Sequence, residues 1–119
     1  MHQDALNITL SGKVKIFDKR YNSQFSINYE LKKDNKPTIN NNAILIHYIG
    51  PTKPWHSWGE YKSTEAFIHA KNNSPWVNLP FLLPKTSMQY RYAAKNMFNN
   101  HYKCKGVKDL FLYFLSKIR

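Results

Sequence analysis

Apolar residues cluster in four stretches of the chain, and their spacing within each stretch predicts a strand or a helix. Residues 43–48 begin with a continuous apolar run after three asparagines, which is typical of a buried strand that follows a turn. In residues 107–118 apolar side chains recur every three or four positions, as on one face of an amphipathic helix. Residues 63–71 and 86–98 predict two further helices, the first with Ser63 as its N-cap and the second ended by a pair of asparagines.

The remaining segments carry weaker patterns. Residues 4–10 predict a short helix that ends before Gly12, and residues 14–17 predict a short strand. Apolar side chains alternate across residues 26–33 like those of a strand. Residues 72–84 contain three prolines and predict an ordered loop. This succession of elements predicts an α/β chain, closer to α+β for the 119 residues taken alone.

The segment that follows the predicted strand carries side chains suited to a nucleotide. His47 offers a nitrogen to a metal ion, although a lone histidine at a strand end is more often structural. Gly50 allows the backbone to come close to a bulky anion. Lys53 brings a point charge that suits phosphate, although a lone lysine is usually solvated. Together these residue types predict a site for a nucleoside diphosphate.

The same segment has the form of a known motif. HxxGxxKPW, at residues 47–55, resembles the C-terminal signature of the family 8 retaining glycosyltransferases. The longer run at residues 47–58 resembles the branch that adds glucose or galactose to the lipopolysaccharide core. Residues 3–7 resemble the end of the family's Asp-Gln-Asp-x-Leu-Asn motif, with His2 where its first aspartate would stand. Residues from about Tyr61 onward resemble that branch's basic, aromatic C-terminal extension.

The resemblance implies a fold and a division of the chain. Residues 1–60 would be the C-terminal end of a GT-A, Rossmann-like catalytic domain, and residues 61–119 would be a helical extension. For residues 26–33 it implies irregular or helical structure, so that segment stays open between this and a strand. The chain contains no Asp-x-Asp and lacks the family's nucleotide-binding half. We therefore expect the C-terminal piece of a transferase, inactive when alone.

The resemblance also implies roles for four residues. His47 would bind Mn²⁺ (or Mg²⁺), an ion shared with Asp-x-Asp ligands that this chain lacks. Gly50 and Lys53 would bind the nucleotide sugar, a UDP-sugar donor. Gln3 would lie beneath the anomeric carbon and position the sugar, because a neutral amide is a weak nucleophile. The acceptor would be the lipopolysaccharide core.

Tryptophans and further histidines are additional candidates for a functional site. Trp55, Trp58 and Trp76 are equally suited to stacking on sugar rings and to packing. Three histidines have no ligand spacing and are predicted to lie on the surface, namely His56, His69 and His101.

The C-terminal part of the chain is more basic than the rest. The net charge is +11, and residues 85–119 hold eight Lys or Arg against one acid. Interleaved with aromatic residues, this charge favours an anionic membrane surface, so we expect a cytoplasmic protein peripheral on the inner membrane. The alternative, a small basic nucleic-acid-binding module, explains the charge but not HxxGxxKPW, and no motif for a specific nucleic acid is present.

The single cysteine, Cys104, favours a reducing compartment.

Overall fold

The computed structural model of the chain describes residues 8–13, 15 and 17–118. Gln3 and most of the helix predicted over residues 4–10 lie outside this part, as do two positions of the strand predicted over residues 14–17. The described elements are two strands, β1 (Ser23–Ser26) and β2 (Ile46–Ile49), and three α-helices, α1 (Glu65–Asn72), α2 (Ser87–Asn99) and α3 (Lys103–Ile118). Short 3-10 turns span Lys19–Asn22, Ile27–Leu31 and Lys62–Thr64.

The two strands form a small parallel sheet. Ser23 pairs with Ile46 and Ser26 pairs with Ile49, so β1 and β2 lie in register over four residues. The strand predicted over residues 43–48 is therefore present, shifted towards its C-terminal end. Its predicted burial is wrong, because Ile44 keeps 58% of its surface exposed. The described part of this sheet has two strands, and the apolar side chains that precede β2 have no packed layer over them.

Residues 26–33 combine both of the structures left open by the sequence. The strand β1 ends at Ser26, and a 3-10 turn follows over Ile27–Leu31. Phe25 and Ile27 are fully buried on either side of this change. Burial of these alternate positions produces the strand-like pattern, while the backbone turns after only four extended residues. The chain is thus a mixture of helices with a small parallel sheet.

The start of α1 differs from its prediction. Ser63 is not the N-cap, since it lies inside the 3-10 turn and its hydroxyl is buried without a hydrogen-bond partner. Thr64 instead stabilises this turn, because its hydroxyl accepts from the Tyr61 N–H at 3.2 Å and donates to the Tyr61 carbonyl at 2.8 Å. The reciprocal bonds of Tyr61 and Thr64 set the chain direction, and the α-helix begins one residue later at Glu65.

The second and third helices pack against each other. The prediction for α2 is confirmed to within one residue, and a capping box explains its sharp start: Thr86 Oγ1 accepts from the Gln89 N–H while Gln89 Oε1 accepts from the Thr86 N–H. The third helix begins at Lys103, four residues before its predicted start. Gly106 lies so close to α2 that a Cβ there would approach the Phe98 ring to 2.9 Å.

The core joins the segment after β2 to the helical part. Trp58 is 1% exposed and packs with Ala93 and Met97 of α2. Nearby, the Tyr61 hydroxyl donates to Asn96 Oδ1 at 2.7 Å. Of the three tryptophans, Trp58 therefore packs, whereas Trp76 is 64% exposed.

We expect Trp58→Ala to lower the free energy of unfolding by about 3–5 kcal/mol, the usual cost of emptying a buried tryptophan site. Trp76→Ala is the matched control, and its loss should be much smaller because the side chain is mostly exposed. Urea unfolding of the two variants beside the wild type measures both values. Equal losses would show that Trp58 does not anchor the segment after β2 to α2.

Candidate functional site

A groove of about 610 Å³ runs between β2, the segment that follows it and α1. His47 and Lys53 both line it, together with Trp55 and Phe67. At one side, the Tyr48 hydroxyl donates to the Ser63 carbonyl at 2.7 Å and ties β2 to the turn before α1. Burial raises the pKa of this Tyr48 phenol, so the hydroxyl keeps its proton and remains a donor. The groove thus brings together two of the residues that the motif singled out.

The His47 side chain presents one nitrogen to solvent. Its ring is exposed, and Nδ1 lies 3.0 Å from Asn22 Oδ1. An amide oxygen only accepts hydrogen bonds, so His47 Nδ1 carries the hydrogen and Nε2 keeps a free lone pair. An oxygen that accepts a hydrogen bond from one ring nitrogen orients a histidine whose other nitrogen binds a metal ion. The arrangement therefore fits a single imidazole ligand to a divalent ion.

Asn22 is the site residue that sequence reasoning missed. It precedes β1, 25 residues before His47, and the parallel pairing of β1 with β2 brings the two together. No local pattern marks it. Within residues 8–13, 15 and 17–118, no three His, Cys, Asp or Glu side chains lie close enough to form a metal site.

Gly50 makes the turn that follows β2. Its φ of +85° lies in the left-handed region, where residues with a Cβ are strained. A Cβ at Gly50 would also approach Ser26 Oγ to 2.8 Å. Glycine is therefore needed here for the backbone conformation and for the close approach to β1.

Lys53 is held along the groove. Its Nζ donates to the Tyr48 carbonyl at 2.6 Å and lies 6.0 Å from the centre of the Trp55 ring. An ammonium group has three hydrogens, so hydrogen-bonding capacity remains for another acceptor. The side chain is half-buried, which limits the conformations that its long stem can adopt. Lys53 thus presents a positive charge at a defined place beside β2.

His56 is not a surface residue, and its predicted exposure is wrong. It is 8% exposed and stacks on Trp58, with ring centres 4.2 Å apart. Its Nδ1 accepts the Lys53 N–H at 3.2 Å. Burial, and after it the nearby Lys53 charge, lowers the pKa of His56, so the ring is neutral near pH 7. The predictions for His69 and His101 are confirmed, since both are exposed.

A second, more apolar groove of about 570 Å³ adjoins the first. The two share Trp55 and Phe67, and Trp76 and Phe81 line the second alone. Exposed aromatic faces are suited to stacking on the apolar faces of sugar rings. Trp55 and Trp76 therefore remain available for such contacts, whereas the buried Trp58 does not.

The apolar stripe predicted over residues 107–118 is present, and most of it faces away from α2, while Leu115 and Ile118 line a groove beside Tyr90 of α2. Phe111 is 62% exposed, and the other stripe residues are exposed as well: Val107, Leu110, Phe114, Leu115 and Ile118. The opposite side of α3 carries the buried Gly106 and packs on α2. None of the helices in the described part of the chain has the length and hydrophobicity that crossing a bilayer requires.

Several named proteins are similar in sequence to this chain. The chain is 48% identical over 118 residues to lipopolysaccharide 1,3-galactosyltransferase of Salmonella typhimurium, covering 99% of this chain and 35% of that protein. It is 48% identical over 118 residues to lipopolysaccharide glucosyltransferase WaaO of Escherichia coli K12, covering 98% and 35%. A lipopolysaccharide 1,2-glucosyltransferase of the same strain is 32% identical over 109 residues, covering 88% of this chain and 32% of that protein. No solved structure gives a significant match.

The chain spans about a third of the length of these relatives. Two family profiles match consecutive parts of it. The profile of glycosyl transferase family 8 covers residues 1–59, and the profile of the glycosyl transferase family 8 C-terminal region covers residues 61–117. Of the HxxGxxKPW motif, His47, Lys53 and Trp55 line one groove, and both profiles match in the order given. The chain therefore belongs to glycosyl transferase family 8.

Proposed function

We propose that this chain is the C-terminal part of a retaining glycosyltransferase that transfers glucose or galactose from a UDP-sugar to the lipopolysaccharide core. The observation that carries the proposal is the groove after β2, which both His47 and Lys53 line and where His47 Nδ1, not Nε2, contacts Asn22. The relatives support the chemistry, since those named above are lipopolysaccharide galactosyl- or glucosyltransferases.

Each site residue has a part in this reaction. His47 Nε2 would supply one ligand to Mn²⁺ or Mg²⁺, with Asp-x-Asp carboxylates from the rest of the longer protein. When bound, such an ion offsets the negative charge of the departing diphosphate. Lys53 adds a positive charge to the same phosphates, and the Gly50 turn lets the backbone approach them. Gln3, which lies outside the described residues, would position the sugar.

The fold we propose for the whole protein is GT-A and Rossmann-like. Residues 1–60 would complete its catalytic domain, and residues 61–119 would form the helical extension. The exposed apolar side chains before β2 support this arrangement, because the remainder of a larger sheet and its covering helices would bury them. The basic charge alone would also suit nucleic acid, but nothing in the groove favours a nucleic-acid-binding module.

The proposed reaction is tested with the complete protein, UDP-glucose or UDP-galactose, Mn²⁺ and a core oligosaccharide acceptor. We expect one of the two sugars to appear on the acceptor with the donor's anomeric configuration, read from the proton–proton coupling at the new anomeric centre. Transfer with inversion, or transfer only from nucleotides other than UDP, would refute the proposal.

For the extension, we propose that the outer face of α3 lies on an anionic membrane surface. Its apolar stripe is exposed, and Lys103, Lys108 and Lys117 lie on or beside it along the helix. Basic residues near an anionic surface contribute about 1 kcal/mol each, and buried aromatic side chains add to this. This placement would bring the transferase close to a lipid-linked acceptor and would make it peripheral on the inner membrane.

We expect replacement of these three lysines by glutamine to weaken binding of the protein to phosphatidylglycerol vesicles at least about tenfold. The matched control changes three exposed lysines elsewhere, Lys33, Lys62 and Lys95, and should weaken binding much less. Co-sedimentation measures both, and high salt should release the wild type because screening shortens to about 3 Å at 1 M.

A double change of Phe111 and Phe114 to serine separates this surface from an internal one. Weaker vesicle binding with an unchanged melting temperature supports the membrane proposal. Unchanged binding with a lower melting temperature would show that the stripe packs on the rest of the transferase.

A further inference from the structure

His56 holds the Lys53 peptide on both sides. The Lys53 N–H donates to His56 Nδ1 at 3.2 Å, and the Lys53 carbonyl accepts from the His56 N–H at 3.0 Å. These two bonds fix the backbone from which the Lys53 side chain extends along the groove. Pro54, which is buried, further restricts the backbone between them.

The His56 ring is itself fixed in place. It stacks on Trp58 with an angle of 27° between the rings, and it lies among buried residues. Its backbone runs beside residue 82, where the Ser57 N–H donates to the Leu82 carbonyl and the Leu82 N–H donates to the Trp55 carbonyl. A Cβ at Gly59 would clash with the Lys53 carbonyl oxygen, so glycine leaves room for this tight arrangement.

We propose that His56 is a positioning residue, which in its neutral form accepts the Lys53 N–H and so presents the Lys53 ammonium to the diphosphate of the donor. This inference rests on the proposed function of the groove. It assigns to His56 a role in donor binding that does not require contact with the donor. A ring that only fills space against Trp58 would serve packing equally well without its nitrogen.

Protonation should undo this arrangement. A neutral imidazole accepts through Nδ1, whereas both nitrogens of the charged ring donate. The charged groups that face His56 are Lys53 in its own loop and Glu60, which lines the same small pocket. The segments packed against it from α1 and from residues 81–82 contribute no charge there. Because the pKa of His56 is lowered, the ring is neutral at pH 7, and donor affinity should fall only once the pH drops through this lowered pKa, which lies below the ordinary histidine value of about 6.5.

Two variants of the complete enzyme separate positioning from packing. His56→Asn keeps an oxygen acceptor near the place of Nδ1, and His56→Phe keeps an aromatic ring on Trp58 but removes the acceptor of the part-buried Lys53 N–H. We expect His56→Phe to raise KM for the UDP-sugar about tenfold, which corresponds to the loss of about one hydrogen bond, and His56→Asn to stay within about threefold. KM for the acceptor should not change in either variant.

The pH dependence of donor KM is a second measurement, and a purely packing role for His56 would not affect it. The ratio of donor KM in the wild type to donor KM in His56→Asn should rise as the pH falls through the His56 pKa, because every other group whose protonation weakens donor binding acts equally in both proteins. Equal donor KM values for the two variants, or a ratio of wild type to His56→Asn that stays constant over the acid range, would overturn the inference. If instead the wild type neither binds nor uses a UDP-sugar, the proposed function itself fails and this role falls with it.

Folding of the variants need not limit the test. In the wild-type protein, NMR should detect a coupling across the hydrogen bond between the Lys53 amide nitrogen and His56 Nδ1. A His56 ring that carries its hydrogen on Nδ1 at pH 7 would overturn the inference without any substitution.

Discussion

Replacing His47 by alanine should lower kcat/KM for the UDP-sugar about 100-fold or more in the complete enzyme, since removing even the hydrogen-bond partner of a metal-binding side chain costs about 10–100-fold. The loss arises because the divalent ion that offsets charge on the departing diphosphate would keep only its carboxylate ligands. His69→Ala is the matched control, because His69 is exposed on α1 and does not line the groove of His47. Its kcat/KM should stay within about twofold of the wild type, as for most surface changes.

Asn22→Ala extends this prediction to the residue that orients His47. The ring should lose its fixed direction, and affinity for Mn²⁺ should fall about 10-fold or more while the ligand itself remains. Excess Mn²⁺ should therefore restore much of the activity of Asn22→Ala and little of that of His47→Ala. Equal losses in His47→Ala and His69→Ala would remove His47 from the site.

The 119-residue chain taken alone should show no transferase activity. It contains no Asp-x-Asp, so His47 would be left without carboxylate partners for the ion. The described residues also offer no group of three potential ligands. The chain, either UDP-sugar, Mn²⁺ and a core acceptor are incubated and the released UDP is measured. Turnover of even a few per second, near the enzyme median of about 10 per second, would contradict the need for the missing ligands.

Local signals predicted the local structure well. The capping residue Thr86 and the paired asparagines bound α2, and the apolar run before His47 located β2. The start of α1 was missed because Tyr61 and Thr64 close a turn through reciprocal hydrogen bonds that the Ser63 pattern does not reveal. At α3, residues 103–106 carry no apolar period, yet the helix includes them, and Gly106 packs closely on Phe98 there.

The residues of the candidate site also divide into those that the sequence predicted and those that it missed. Sequence spacing predicted that His47, Gly50 and Lys53 act together, and the structure places His47 and Lys53 on one groove. Asn22 was missed because only the parallel pairing of two distant strands brings it to His47. His56 was misjudged because a histidine between two tryptophans has no period of its own. Its burial depends on Trp58 packing against α2, which is a tertiary contact.

Manganese-induced line broadening of the histidine resonances tests the central claim most directly. Mn²⁺ is paramagnetic and its broadening falls steeply with distance, so in the complete enzyme with UDP it should broaden the ring signals of His47 far more than those of the exposed His69 and His101. Asn22→Ala should require more Mn²⁺ for the same broadening. A His47 signal that stays as sharp as that of His69 at saturating Mn²⁺ and UDP would contradict the assignment of this groove to the donor's diphosphate.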